Sequence, residues 1–124
     1  MNVLVVDDDS ITRQMLAFTL RKAGYDVTTA TNGAEAYERF LKDQHQLIVS
    51  DWSMPGMDGL ELCRAIRRAD SNRYVYFILL TTHDRPEDAI EGLGAGADDY
   101  VRKPFDPGEL IMRVNAGQRV INLE

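Results

Sequence analysis

Asp7 and Asp8 follow the apolar run Val3 to Val6, and Asp51 follows Leu47 to Ser50. Thr81 closes the run from Tyr74 to Leu80, and Lys103 follows Asp98 to Arg102. If these runs are parallel strands, their carboxyl ends share one edge of a sheet, and three carboxylates, a hydroxyl and an ammonium converge there. Such a set suits phosphoryl transfer to a carboxylate. Two carboxylates about 4 Å apart repel by roughly 4 kcal/mol at an effective dielectric near 20, so three in one site require a proton or a cation. All-oxygen ligation with room for water suits Mg²⁺, with Mn²⁺ as a substitute, better than zinc. Beside that ion one carboxylate can attack phosphorus while Lys103 offsets charge on the transferring oxygens. Thr81 can donate a hydrogen bond to a phosphoryl oxygen, which makes it a detector of the group.

The elements that must hold these residues are legible from hydrophobic period. After the first strand, Ile11, Met15, Phe18 and Leu20 with Ala23 mark one face of a helix stopped by Gly24. Asp26 to Ala30 is a short strand, and Asn32 with Glu35 has the spacing of a capping box opening a helix through Tyr37, Phe40 and Leu41. Leu47 to Ser50 reads as a buried strand, Ser53 to Gly59 as a loop, and Leu60, Cys63, Ile66 and Arg67 as a helix. Val75 to Leu80 is the most apolar strand. Asp84, Pro86 and Glu87 open a short helix that glycines 92, 94 and 96 end, Asp99 to Arg102 is a last strand, and a final helix starts at Pro107. Five strands alternating with five helices predict an α/β domain: one parallel, doubly wound sheet covered on both faces.

At 124 residues the chain fits one domain, residues 1–124, with no repeat or internal linker. Its net charge of -6 repels nucleic acid and anionic membrane surfaces. A single cysteine, Cys63, excludes an internal disulfide and a Cys/His metal cluster. The longest apolar run is far shorter than the ~20 residues that span a bilayer, and Met1 leads directly into a strand, so a cytoplasmic location is expected.

Asp7-Asp8, the segment from Asp51 to Gly59 (DWSMPGMDG), Thr81 after its strand, and Tyr100-Val-Arg-Lys103-Pro104-Phe105 together resemble the receiver domain of two-component response regulators. The resemblance covers nearly the whole chain and implies a flavodoxin-like (βα)₅ fold. It implies that Asp51 accepts a phosphoryl group from a phosphohistidine on a sensor histidine kinase or phosphotransfer protein, the domain catalysing its own phosphorylation and dephosphorylation rather than acting as a conventional enzyme. By the same resemblance Asp8, Asp51 and the Ser53 carbonyl ligate Mg²⁺, Asp7 acts largely through water, and Lys103 contacts the phosphoryl group. Thr81 and Tyr100 form the switch that reshapes the surface of the fourth helix, fifth strand and fifth helix. Ser53 and His83 tune signal lifetime, and the Lys103-Pro104 bond is cis.

Plainer readings stand beside these. Asp9 or Ser10 caps the first helix; Asp7 and Asp8 could be helix-start acids favoured by the macrodipole, but that leaves Asp51 and Lys103 unexplained. Only one of Thr81 and Thr82 can face the site, since strand side chains alternate. Tyr100 read alone is a packed strand aromatic, and Met15, Met54, Met57 and Met112 are packing or loop residues. Among other functions, an aspartate-nucleophile phosphohydrolase needs a second acid where Ser53 stands, and a flavodoxin-type cofactor site is disfavoured by three carboxylates in its first loop. A phosphorylation-independent interaction module remains the alternative. The last helix, with Leu110, Val114, Gly117 and Ile121, reaches Glu124 without a stop signal, which suggests a downstream output domain. Asp98, Asp99, Arg102 and Arg113 could pair across the twofold axis of a phosphorylation-dependent homodimer.

Overall fold

The computed structural model describes residues 1–69, 73–82 and 86–123. Strands and helices alternate: β1 (Asn2–Val6), α1 (Ser10–Lys22), β2 (Asp26–Ala30), α2 (Gly33–Asp43), β3 (Leu47–Asp51), α3 (Gly59–Arg68), β4 (Tyr76–Thr81), α4 (Pro86–Gly94), β5 (Asp99–Arg102) and α5 (Pro107–Asn122). Every strand pairing is parallel, and the order across the sheet is β2-β1-β3-β4-β5. The chain therefore starts in the interior, moves out to β2, and returns past β1 to β3. Between the carboxyl ends of β1 and β3 the flanking connections diverge to opposite sides of the sheet, which opens a crevice there.

Alternation along the strands divides the core in two. Leu4, Val6, Ile48, Phe77 and Leu79 pack with Phe40 of α2 and Leu62, Cys63 and Ile66 of α3. Val3, Val5, Leu47, Val49, Ile78 and Leu80 pack with Leu16 and Leu20 of α1 and Leu110 and Val114 of α5. Both faces of the central strands are thus buried, which is why they read as unbroken apolar runs. Side-chain caps fix where helices begin: Asp9 Oδ2 accepts from Thr12 N at 2.9 Å, Asn32 from Glu35 N at 2.8 Å, and Asp106 from Glu109 N at 2.8 Å. Asp58 and Glu61 form a reciprocal capping box at α3.

One helix face differs from the sequence expectation. Ile11, Met15 and Phe18 are 67%, 54% and 66% exposed, while Leu16, Ala17 and Leu20 face the sheet. The helix α1 is apolar on two sides, and burial selects the side whose branched residues meet Val3, Val5 and Val114. The expected face shares only Leu20 with the real one. Leu41 of α2 is likewise exposed, with Phe40 taking the core position. The expected cap at Asp84 and the lifetime residue His83 lie outside the described residues.

Candidate functional site

The acids meet at the crevice. One ligand oxygen from each of Asp7, Asp8 and Asp51 lies within 4.8 Å of the others. Asp7 is fully buried and Asp51 nearly so, whereas Asp8 is exposed at the mouth. Lys103 Nζ reaches across from the β5–α5 connection to Asp7 Oδ2 at 3.3 Å and Asp51 Oδ1 at 3.1 Å.

Local structure explains the placement. Asp7 N donates to Ala30 O at 3.2 Å, Asp9 N donates to Asp7 Oδ1 at 2.9 Å, and Arg13 Nη1 donates to Asp7 O at 2.8 Å, so the turn after β1 is held from three sides. Asp51 ends β3 in register with Leu80 of β4, and Trp52 N donates to Leu80 O at 2.9 Å. Lys103 N donates to Thr81 O at 2.8 Å, which carries the ladder one step past β5 and sets the stem of the ammonium. The Lys103-Pro104 bond is cis. At the start of α3 a Cβ on Gly59 would lie 2.3 Å from Asp51 O, so only glycine allows α3 this close to β3.

Electrostatics follow from burial and crowding. Burial, then the charge of Asp7, push the Asp51 carboxyl above its usual range, against the opposing pull of Lys103. Burial works against the Lys103 charge, but its contacts with Asp51 and Asp7 prevail and raise its pKa. Among the described residues the one group that meets the buried Asp7 Oδ2 is the Lys103 ammonium, through an ion pair at 3.3 Å. Three carboxylates around one ammonium leave negative charge in excess, which fits a hard divalent cation that takes oxygen ligands and would relieve the repulsion.

The sequence model described as response regulator receiver domain matches residues 3–115. The chain belongs to the response regulator receiver domain family. It is therefore a module of two-component signalling. The receiver domain is 39% identical over 114 residues, 92% of the chain, to the phosphate regulon transcriptional regulatory protein PhoB of Pseudomonas aeruginosa, and spans half that relative's length. Among solved structures it is similar to the chemotaxis response regulator CheY4 of Vibrio cholerae, with a TM-score of 0.88 at 38% identity, covering 94% of this chain and 97% of that one. The Francisella response regulator 1452 receiver domain matches with a TM-score of 0.88 at 39% identity, covering 96% and 98%.

The other sequence candidates fall around the receiver domain's crevice as follows. Thr81 is buried and Thr82 exposed. Thr81, Trp52, Gly92 and the exposed Tyr100 line a cavity of about 60 Å³ between β4, β5 and α4. Trp52, unassigned from sequence, belongs to the core, and a Cβ on Gly92 would lie 3.5 Å from its ring. Ser53 is exposed beside Asp51.

Sequence reasoning missed one connected cluster. Arg67 of α3 donates to Gly96 O at 2.7 and 3.0 Å, to Val75 O at 2.6 Å and to Asp98 Oδ2 at 2.8 Å. Asp98 Oδ2 also accepts from Phe77 N at 2.8 Å, and Tyr74 donates to Asp98 Oδ1. Asp98 is therefore held inside the chain, and Asp99 pairs with Arg113 at 3.3 Å across β5 and α5. Gly96, at φ +106°, sits in the left-handed region that favours glycine, and a Cβ there would press on Arg67 at 2.9 Å.

Proposed function

We propose that this receiver domain is a phosphorylation-dependent switch in which Asp51 is the phosphoacceptor. The single observation that carries the reading is Lys103 Nζ lying between Asp7 and Asp51, with Asp8 open to solvent beside them. The phosphodonor is a phosphohistidine of a sensor kinase or phosphotransfer protein: its N–P bond breaks as an Oδ–P bond forms on Asp51, and hydrolysis later restores the carboxylate and releases phosphate. Asp8, Asp51 and the Ser53 carbonyl would hold Mg²⁺, with Asp7 acting through water. The ion supplies positive charge against the phosphoryl oxygens. Asp51 provides the attacking oxygen, and Lys103 stays charged beside the transferred group, as its raised pKa requires.

Thr81 then donates to a phosphoryl oxygen and Tyr100 turns inward toward the cavity that both residues line. One or two charge-assisted hydrogen bonds made only in the active state offer a few kcal/mol, enough to move a closely balanced equilibrium. The altered surface of α4, β5 and α5 controls an output domain or an effector protein, with homodimerisation as one outlet. The Pseudomonas aeruginosa relative, a transcriptional regulatory protein twice the length of this match, supports an output domain. A cytoplasmic site of action agrees with this partner set, and among the described residues no helix is long and apolar enough to cross a membrane. Ser53 and His83 would set how long the mark persists.

Intact-mass measurement after incubation with Mg²⁺ and a small phosphodonor tests the reading. The wild-type chain gains one phosphoryl group and Asp51→Asn gains none. Equal gain in both, or none in either, rejects it.

A further inference from the structure

We propose that the outer edge of β2, with the adjoining surface of α1, binds an extended acidic peptide segment of a partner protein, which adds to the sheet as a further strand. This surface adjoins the acidic crevice, since Arg13 also holds the turn that carries Asp7, but binding there needs no phosphoryl chemistry.

The helix α1 carries Arg13, Arg21 and Lys22 and no acidic residue, in a chain of net charge -6. These three cations, with Phe18 and with Thr29 of β2, line an open groove of about 700 Å³ that has no acid in its walls. None of the three pairs with a carboxylate among the described residues: Arg13 donates to Asp7 O at 2.8 Å, Arg21 to Val27 O at 3.1 Å, and Lys22 sits 5.9 Å from the Phe18 ring centre. The charge of the groove opposes that of the rest of the chain, so an acidic occupant complements it.

The backbone makes that occupant a strand. In a parallel ladder a residue turns both its N–H and its C=O to one side, and its neighbours turn theirs to the other. Asp26 N donates to Met1 O and Ala30 O accepts from Asp7 N, so residues 26, 28 and 30 address β1. Val27 and Thr29 therefore turn their groups outward from the edge, where Arg21 caps the Val27 carbonyl from an exposed position. An incoming strand takes that carbonyl and releases the guanidinium to a carboxylate. Period-two alternation then aims every second side chain of the peptide at the cations of α1.

The test uses the whole chain and end-blocked six-residue peptides of alternating Glu and Val, or Lys and Val, followed by amide NMR. The Glu-Val peptide shifts Val27, Thr29 and Arg21 and slows amide exchange at Val27 and Thr29 at least about fivefold, and the Lys-Val peptide does neither. Neutralising Arg21→Gln with Lys22→Gln weakens binding roughly tenfold, as expected from about two- to fivefold per exposed pair. The single variant Lys22→Gln gives a smaller loss if the pair disturbs the helix end. No shift at millimolar peptide, equal binding of the Lys-Val peptide, shifts without protection of the two amides, or a stronger response to duplex DNA or anionic vesicles overturns the proposal.

Discussion

Replacing Lys103 with Met keeps much of the side-chain volume and deletes the charge, so it isolates the electrostatics of the crevice. Lys103 Nζ sits 3.3 Å from Asp7 and 3.1 Å from Asp51, and each contact is worth about 5 kcal/mol gross at an effective dielectric near 20. The carboxylates within 4.8 Å of one another repel by at least about 3.5 kcal/mol per pair on the same scale. Desolvation opposes the gain at several kcal/mol per buried ion, although Lys103 keeps 20% of its side chain in solvent. The balance predicts that Lys103→Met destabilises the metal-free chain by about 2–4 kcal/mol at neutral pH, most of it from Asp7 and Asp51 left facing each other. Urea unfolding with chelator measures this. Two internal checks follow: the loss shrinks by at least about 1 kcal/mol in an Asp51→Asn background, and millimolar Mg²⁺ recovers much of it in Lys103→Met. A Lys103→Met chain as stable as wild type, or a loss unchanged by Asp51→Asn, would refute the reasoning.

Gly59→Ala drives a Cβ to 2.3 Å from the Asp51 carbonyl oxygen, so α3 must shift; an unfolding free energy lower by about 3 kcal/mol is expected, and a loss under about 1 kcal/mol contradicts the packing described. His45 is buried, among the described residues neither ring nitrogen has a hydrogen-bond partner, and burial holds its pKa below the usual value. Below pH about 6.5 the unfolded chain takes up a proton that the folded chain refuses, so stability falls with falling pH. Urea curves at about pH 7.5 and 5.5 detect this slope, and His45→Leu flattens it. Trp52 is the sole tryptophan and follows Asp51 directly, so its fluorescence changes on Mg²⁺ titration, and a flat titration separates it from the site.

Much of the fold was open to inspection because β1, β3 and β4 are buried on both faces and their runs of Val, Ile and Leu admit no helical reading at that length. Capping residues marked two helix starts, Asp9 or Ser10 at α1 and Asn32 with Glu35 at α2, for an equally local reason, whereas the caps at Asp58 and Asp106 emerged only with the structure. The orientation of α1 was not legible: Ile11, Met15 and Phe18 form as good a stripe as Leu16 and Leu20, and only the sheet decides between them. The crevice acids could be assembled from strand ends alone, since topology brings carboxyl termini together regardless of loop detail. The Arg67 cluster could not, because its partners are mostly backbone carbonyls at Gly96 and Val75, which carry no residue-type signal.

The central claim is that Asp51 carries the covalent mark. Borohydride reduction after phosphorylation with Mg²⁺ and a small phosphodonor converts an acyl phosphate to an alcohol, so peptide mapping identifies the modified carboxylate. Homoserine at position 51 alone is predicted. Homoserine at Asp7 or Asp8, or at no aspartate in a chain that has gained a phosphoryl group, would contradict it.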